Sequence, residues 1–228
     1  MKLVKATIII AIFGLAFISC KKDEINSDGI IRGTIADFEE GTVDKIKCFN
    51  ELEDDLLGES QVSSKGEFSM NLATPICEEI GGSSSVVVSD PTTKTTFGTM
   101  YAYKNDTELG MLVKCNITDL LAFTTEGAAI AQFMYADKPC TVKGTENETD
   151  GGDYIATTIY DLNLKKGWNE VVQIIDEYVI TSSSLKLKTT ISTSIPSGLK
   201  WRYFSTTQYQ VKKSRILKVD FLQTPLFR

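Results

Sequence analysis

The sequence predicts a mainly β protein: two antiparallel β-rich modules, residues 30–90 and 91–228, behind an N-terminal leader. Three observations lead there. Short runs alternate apolar and polar side chains, as in Gly66–Leu72, where Phe68, Met70 and Leu72 share one face and Glu67, Ser69 and Asn71 the other. Turn-forming residues punctuate these runs at short intervals. Helical periodicity is poor throughout, and only Asp119–Phe123 suggests a turn of helix.

The leader comes first in the chain. Met1-Lys2-Leu3-Val4-Lys5 is short and basic, and Ile8–Ile18 is apolar apart from Gly14. The run suits a secretory signal and is too short to span a bilayer as a helix. Phe17-Ile18-Ser19-Cys20 resembles the lipobox of bacterial lipoproteins, with Phe17 where leucine is commonest. The resemblance implies residues 1–19 as a signal peptide cut before Cys20, and Cys20 as the lipidated (palmitate-type) anchor. Two or more acyl chains together hold a protein stably on a membrane, whereas one does so only marginally. Lys22-Asp23-Glu24 resembles the export tag of surface-exposed lipoproteins in Bacteroidota-type bacteria, which implies an outer-membrane protein facing the cell exterior. Residues 20–29, ending Asn26-Ser27-Asp28-Gly29, read as the tether.

Strand signals follow. Ile30–Ala36 alternates around Arg32 and Thr34, Lys45–Phe49 alternates again, and Ser85–Val88 reads as a more buried strand. Thr95–Asn116 reads as a hairpin with Lys104-Asn105-Asp106-Thr107 at its tip, because Asn and Asp tolerate left-handed angles. Asp90-Pro91-Thr92-Thr93 is the expected boundary between the modules. Beyond it lie strand patterns at Ile130–Tyr135, Cys140–Gly144, Tyr154–Leu164 and Trp168–Ile180. The last two are predicted to pair as a hairpin through Lys165-Lys166-Gly167. Leu185–Lys188, Trp201–Phe204 and Ile216–Phe221 read as closing strands.

Ile31-x-Gly33-x-Ile35, Gly41-x-Val43-x-x-Ile46, Gly58 and Gly66-x-Phe68-x-Met70-x-Leu72 together resemble the carboxypeptidase-regulatory-like, transthyretin-like β-sandwich. The acidic stretch Glu51–Asp55 departs from that family's compact connection. The resemblance implies a transthyretin-like β-sandwich over residues 30–90, followed by a second antiparallel β-sandwich or β-rich module. It also implies a non-catalytic scaffold. Tyr160–Asn169 is similar to segments of uncharacterised lipoproteins of the same bacteria.

Composition narrows the chemistry. The 228 residues carry a net charge of −6 and no histidine. Removing Lys2 and Lys5 with the leader leaves 22 basic side chains against 30 acidic ones. Such a chain is a poor nucleic-acid binder. Without histidine there is no Ser-His-Asp or Cys-His nucleophile and no His-ligated metal site. A carboxylate-dependent hydrolase remains the enzymatic alternative, though no acidic pair is marked by a motif, and a purely structural envelope protein with no soluble ligand is the third reading. No cofactor is implied.

Cys48, Cys77, Cys115 and Cys140 are spaced too widely for a structural zinc site. An exported chain can join them as two disulfides, with Cys48–Cys77 and Cys115–Cys140 nearest in sequence, or keep them as buried thiols. Trp168, Trp201, Tyr203 and Tyr209 are candidates for an aromatic surface that meets a glycan or protein ligand. Alternating aromatics in strands more often serve as core. Glu146–Asp153 offers oxygen ligands of the kind calcium takes, without EF-hand spacing, and a solvated acidic loop is favoured. Lys212-Lys213-Ser214-Arg215 is a small basic patch, too few charges for membrane recruitment by itself. The expected partners are therefore the membrane, through the lipid, and a glycan or protein ligand.

Overall fold

The structure is a computed structural model that describes residues 29–149 and 154–205. The leader, Cys20, Lys22, Asp23, Glu24, Tyr209, Lys212–Arg215 and Ile216–Phe221 lie outside the described residues. The fold is mainly β. In chain order the strands are β1 (Ile30–Thr34), β2 (Lys45–Asn50), β3 (Leu56–Gln61), β4 (Glu67–Asn71), β5 (Glu78–Glu79), β6 (Val86–Val88), β7 (Lys94–Lys104), β8 (Thr107–Cys115), β9 (Ala129–Ala136), β10 (Cys140–Thr149), β11 (Tyr154–Leu164), β12 (Gly167–Ile180), β13 (Leu185–Ser192) and β14 (Lys200–Ser205). A short 3₁₀ turn, Leu120–Thr124, stands where the helical turn is expected.

The first region is a ring of strands. β1 pairs with β4, β3 with β2, β2 with β7, β7 with β8, and β8 with β14, all antiparallel. β4 meets β3 where the Ala73 N–H donates to the Leu57 carbonyl at 2.8 Å. β14 returns to β1 through a single parallel bridge, Ile35 to Trp201, with the Ala36 N–H donating to the Trp201 carbonyl at 2.8 Å. The alternation that marks Phe68, Met70 and Leu72 as one face is the face turned into this ring, beside Ile31, Ile46, Met100 and Leu112. At the expected hairpin tip, Asn105 and Asp106 both adopt positive φ (48° and 61°), as a tight two-residue turn requires.

The second region continues the same sheet in the order β9-β12-β13-β11-β10-β6. β7 joins the two: its first residues, Thr95–Gly98, pair with β9, and its later ones pair with β2 and β8. The expected boundary at residue 90 is therefore no break in hydrogen bonding. The predicted hairpin of Tyr154–Leu164 with Trp168–Ile180 does not pair either. β13 inserts between β11 and β12, parallel to the former and antiparallel to the latter. The turn itself is tight: Gly167 takes φ 96°, and the Asn169 side chain bonds both the N–H and the carbonyl of Lys165 at 2.8 Å.

Two further apolar clusters fill this region. Met134, Val142, Tyr160, Leu162, Leu164, Val171 and Ile191 form one, and Cys115, Ile130, Ile175, Leu187 and Phe204 form the other. Lys114 of β8 and Glu170 of β12 form a largely buried ion pair, Nζ to Oε1 at 2.8 Å.

Candidate functional site

At the far end of β1 the chain leaves the ring. Asp37 takes φ 55°, a left-handed conformation that Asp tolerates better than most residues. This kink lifts residues 36–43 off β14 and opens a cleft of about 370 Å³ between that loop, Thr118 and Arg202–Phe204 of β14. Ile35, Phe38, Val43 and Phe204 line its apolar walls, and Thr42, Glu39, Asp37, Arg202 and Tyr203 supply the polar groups.

Local contacts hold this frame. The Arg202 Nη1 donates to Asp37 Oδ2 at 2.9 Å, joining loop to strand. The pair is lopsided, because the Arg202 side chain is 17% exposed and that of Asp37 84%. Arg202 Nε is buried without a hydrogen-bond partner among the described residues. The Tyr203 hydroxyl donates to the Leu109 carbonyl at 3.2 Å, which pins its ring against β8. Thr42 Oγ1 donates to the Glu39 carbonyl at 2.6 Å, and Lys104 Nζ donates to the Gly41 carbonyl, so the later half of the acidic loop is held to β7.

The backbone of β14 also faces the cleft. The Trp201 carbonyl points towards β1, where Ala36 meets it. Strand geometry repeats every second residue, so the N–H and carbonyl of Tyr203 point the same way. There β1 has already turned aside, and no backbone partner for Tyr203 on that side lies among the described residues.

The aromatic surface expected at Trp168, Trp201 and Tyr203 is not formed. Trp201 is 1% exposed, stacked on Phe133 with centroids 5.6 Å apart and edge-on to Phe68 at 5.2 Å. Its Nε1 is buried without a hydrogen-bond partner among the described residues, and a Cβ at Gly33 would stand 2.2 Å from it. Trp168 is buried against Tyr135, and its Nε1 donates to the Ala73 carbonyl at 3.2 Å. Only half-buried Tyr203 reaches a candidate site, as one wall of the cleft. In Trp201-Arg202-Tyr203-Phe204 both faces carry an aromatic, so alternation there does not say which face looks inward. The core reading wins because these indoles close the ring.

The disulfide alternative is likewise overturned: all four cysteines are free thiols. Cys48, Cys115 and Cys140 sit in three different apolar clusters, too dispersed to pair. Burial pushes the Cys48 thiol up to about 12 and raises that of Cys115. Cys77 is half-buried and pushed up to about 11, by burial first and then by the nearby Asp137 carboxylate.

Part of the Glu146–Asp153 stretch, residues 150–153, lies outside the described residues. Within it, Glu146 accepts the Tyr160 hydroxyl at 3.3 Å. Among the described residues no group of three or more Cys, Asp or Glu side chains is arranged to hold a metal ion. The carboxylates at the cleft, Asp37 and Glu39, are both exposed, and Asp37 is engaged by Arg202. The sequence offered no sign of this cleft, because its two walls are 165 positions apart. Compared with family models, curated proteins and solved structures, the chain matches none.

Proposed function

We propose that this chain is a lipid-anchored cell-envelope protein of the outer membrane, facing the exterior, that acts as a non-catalytic binding or scaffolding module. The observation that carries this reading is the opposition of tether and cleft. Gly29, where the tether would enter, accepts the Leu72 N–H at the start of β1. The cleft opens at the other end of the same strand, about 17 Å away at the usual rise per residue. A lipid on Cys20 would fix one end, and the cleft would be presented at the opposite end.

The lipobox-like Phe17–Cys20 and the Lys22-Asp23-Glu24 stretch support the anchor and its outward orientation. The resemblance of residues 30–90 to transthyretin-like modules supports a scaffold rather than an enzyme. The cleft's two open carboxylates, one held by an arginine, favour binding over the hydrolytic alternative, since glycosidic chemistry needs an acid and a base facing each other across the scissile bond.

Replacement of Cys20 by Ala is expected to move the protein from the membrane fraction to the soluble envelope fraction. Retention through detergent-sensitive acylation would refute the anchor. Protease treatment of intact cells is expected to digest the wild-type protein. Full protection, with digestion only after lysis, would refute the outward orientation.

A further inference from the structure

We infer that the cleft is a strand-addition site for an extended, basic peptide segment of a partner protein. The inference deepens the proposed binding function and rests on it. Three observations converge on this occupant.

The first is the interrupted ladder. β1 and β14 share one parallel bridge and then separate at Asp37, so Tyr203 directs a backbone donor and acceptor into the cleft. One residue of an antiparallel extended strand satisfies both at once, because its own N–H and carbonyl lie on the same side of the strand, which is how strand addition supplies affinity. The second is the walls. Ile35, Phe38, Val43 and Phe204 line a groove that takes alternate apolar side chains of such a strand. The third is charge. Asp37, Glu39 and Glu40 are exposed on the loop that forms the rim, against the largely buried Arg202, and the chain as a whole carries −6. Lysine or arginine side chains on the outward face of the incoming strand therefore meet carboxylates. An acidic segment would be repelled, and this is the usual way in which charge selects a partner.

The test uses the mature chain with Cys20→Ala and an end-blocked, fluorescently labelled peptide, TKVKTKVK, read by polarisation at low and high salt. Saturable binding is expected, weakening with salt. TEVETEVE is expected not to bind. The same basic peptide N-methylated at alternate residues, which removes donors while keeping charge, is expected to bind about tenfold more weakly. Glu39→Lys, an exposed change that leaves the core untouched, is expected to weaken the basic peptide about three- to fivefold.

Absence of binding, equal binding of the acidic peptide, or indifference to N-methylation overturns the inference. Self-association of the chain without peptide, abolished by Glu39→Lys, would make a second copy the occupant and overturn the partner assignment. The anchor fails separately, through the Cys20→Ala fractionation, so the two results can be told apart.

Discussion

The two regions of the sheet are built on different terms. The clusters of the second region draw on residues from Ile80 to Phe204, most of them in β9 to β13. The core of the first region begins with residues 31–72 and is completed from far along the chain, by Met100, Leu112, Phe133, Trp168 and Trp201. Its largest side chains are therefore contributed by the other half of the sequence. The dependence teaches that residues 31–72 do not complete a core by themselves. Their apolar face is covered only when β7, β8 and β14 close the ring and Phe133 and Trp168 enter from β9 and β12.

The largest expected break is at that seam. Trp201→Ala removes the stack on Phe133 and the edge contact with Phe68 together. It is expected to cost about 3–5 kcal/mol, read from the urea midpoint. A loss under about 1 kcal/mol would mean that the first core closes without β14.

Lys114→Met probes the sheet where β8, β9 and β12 meet. It leaves Glu170 buried and uncompensated, at an expected cost of about 3 kcal/mol or more. Replacing both members, Lys114→Met with Glu170→Leu, is expected to recover most of that loss. If the double variant were as unstable as the single one, packing rather than charge would be the cause.

How legible was this in the sequence? Local alternation sufficed for the inward face of Glu67–Asn71 and for the turn at Asn105-Asp106, because those patterns depend on neighbours two residues apart. The partners of a strand are a different matter. Nothing near Lys165–Gly167 announces that β13 will slide between β11 and β12, since that pairing is decided by residues 185–192. The Trp201-Arg202-Tyr203-Phe204 alternation was visible, but both faces of β14 turn out to be engaged: Trp201 packs in the first core and Phe204 in a cluster of the second. The cleft was invisible because a left-handed Asp37 opens it and a distant strand floors it.

The smallest effect concerns the thiols, which sort by environment rather than by sequence. A thiol reagent is expected to label half-buried Cys77 in the folded protein, while Cys48, Cys115 and Cys140 react only after unfolding. Because its thiol is raised from the ordinary 9.0 to about 11, the labelling rate of Cys77 should keep rising as pH climbs past 9. A plateau near pH 9 would indicate an exposed, unperturbed thiol instead.

Both tryptophans lie in the first core, so their fluorescence reports that core, whereas far-UV circular dichroism reports strands throughout. Urea unfolding of the mature chain, followed by both signals, therefore asks directly whether the first region stands only with the second. Superimposable transitions with one midpoint are the predicted result. A fluorescence transition displaced from the dichroism transition, with a stable plateau between them, would show that the two regions fold independently and would contradict the account.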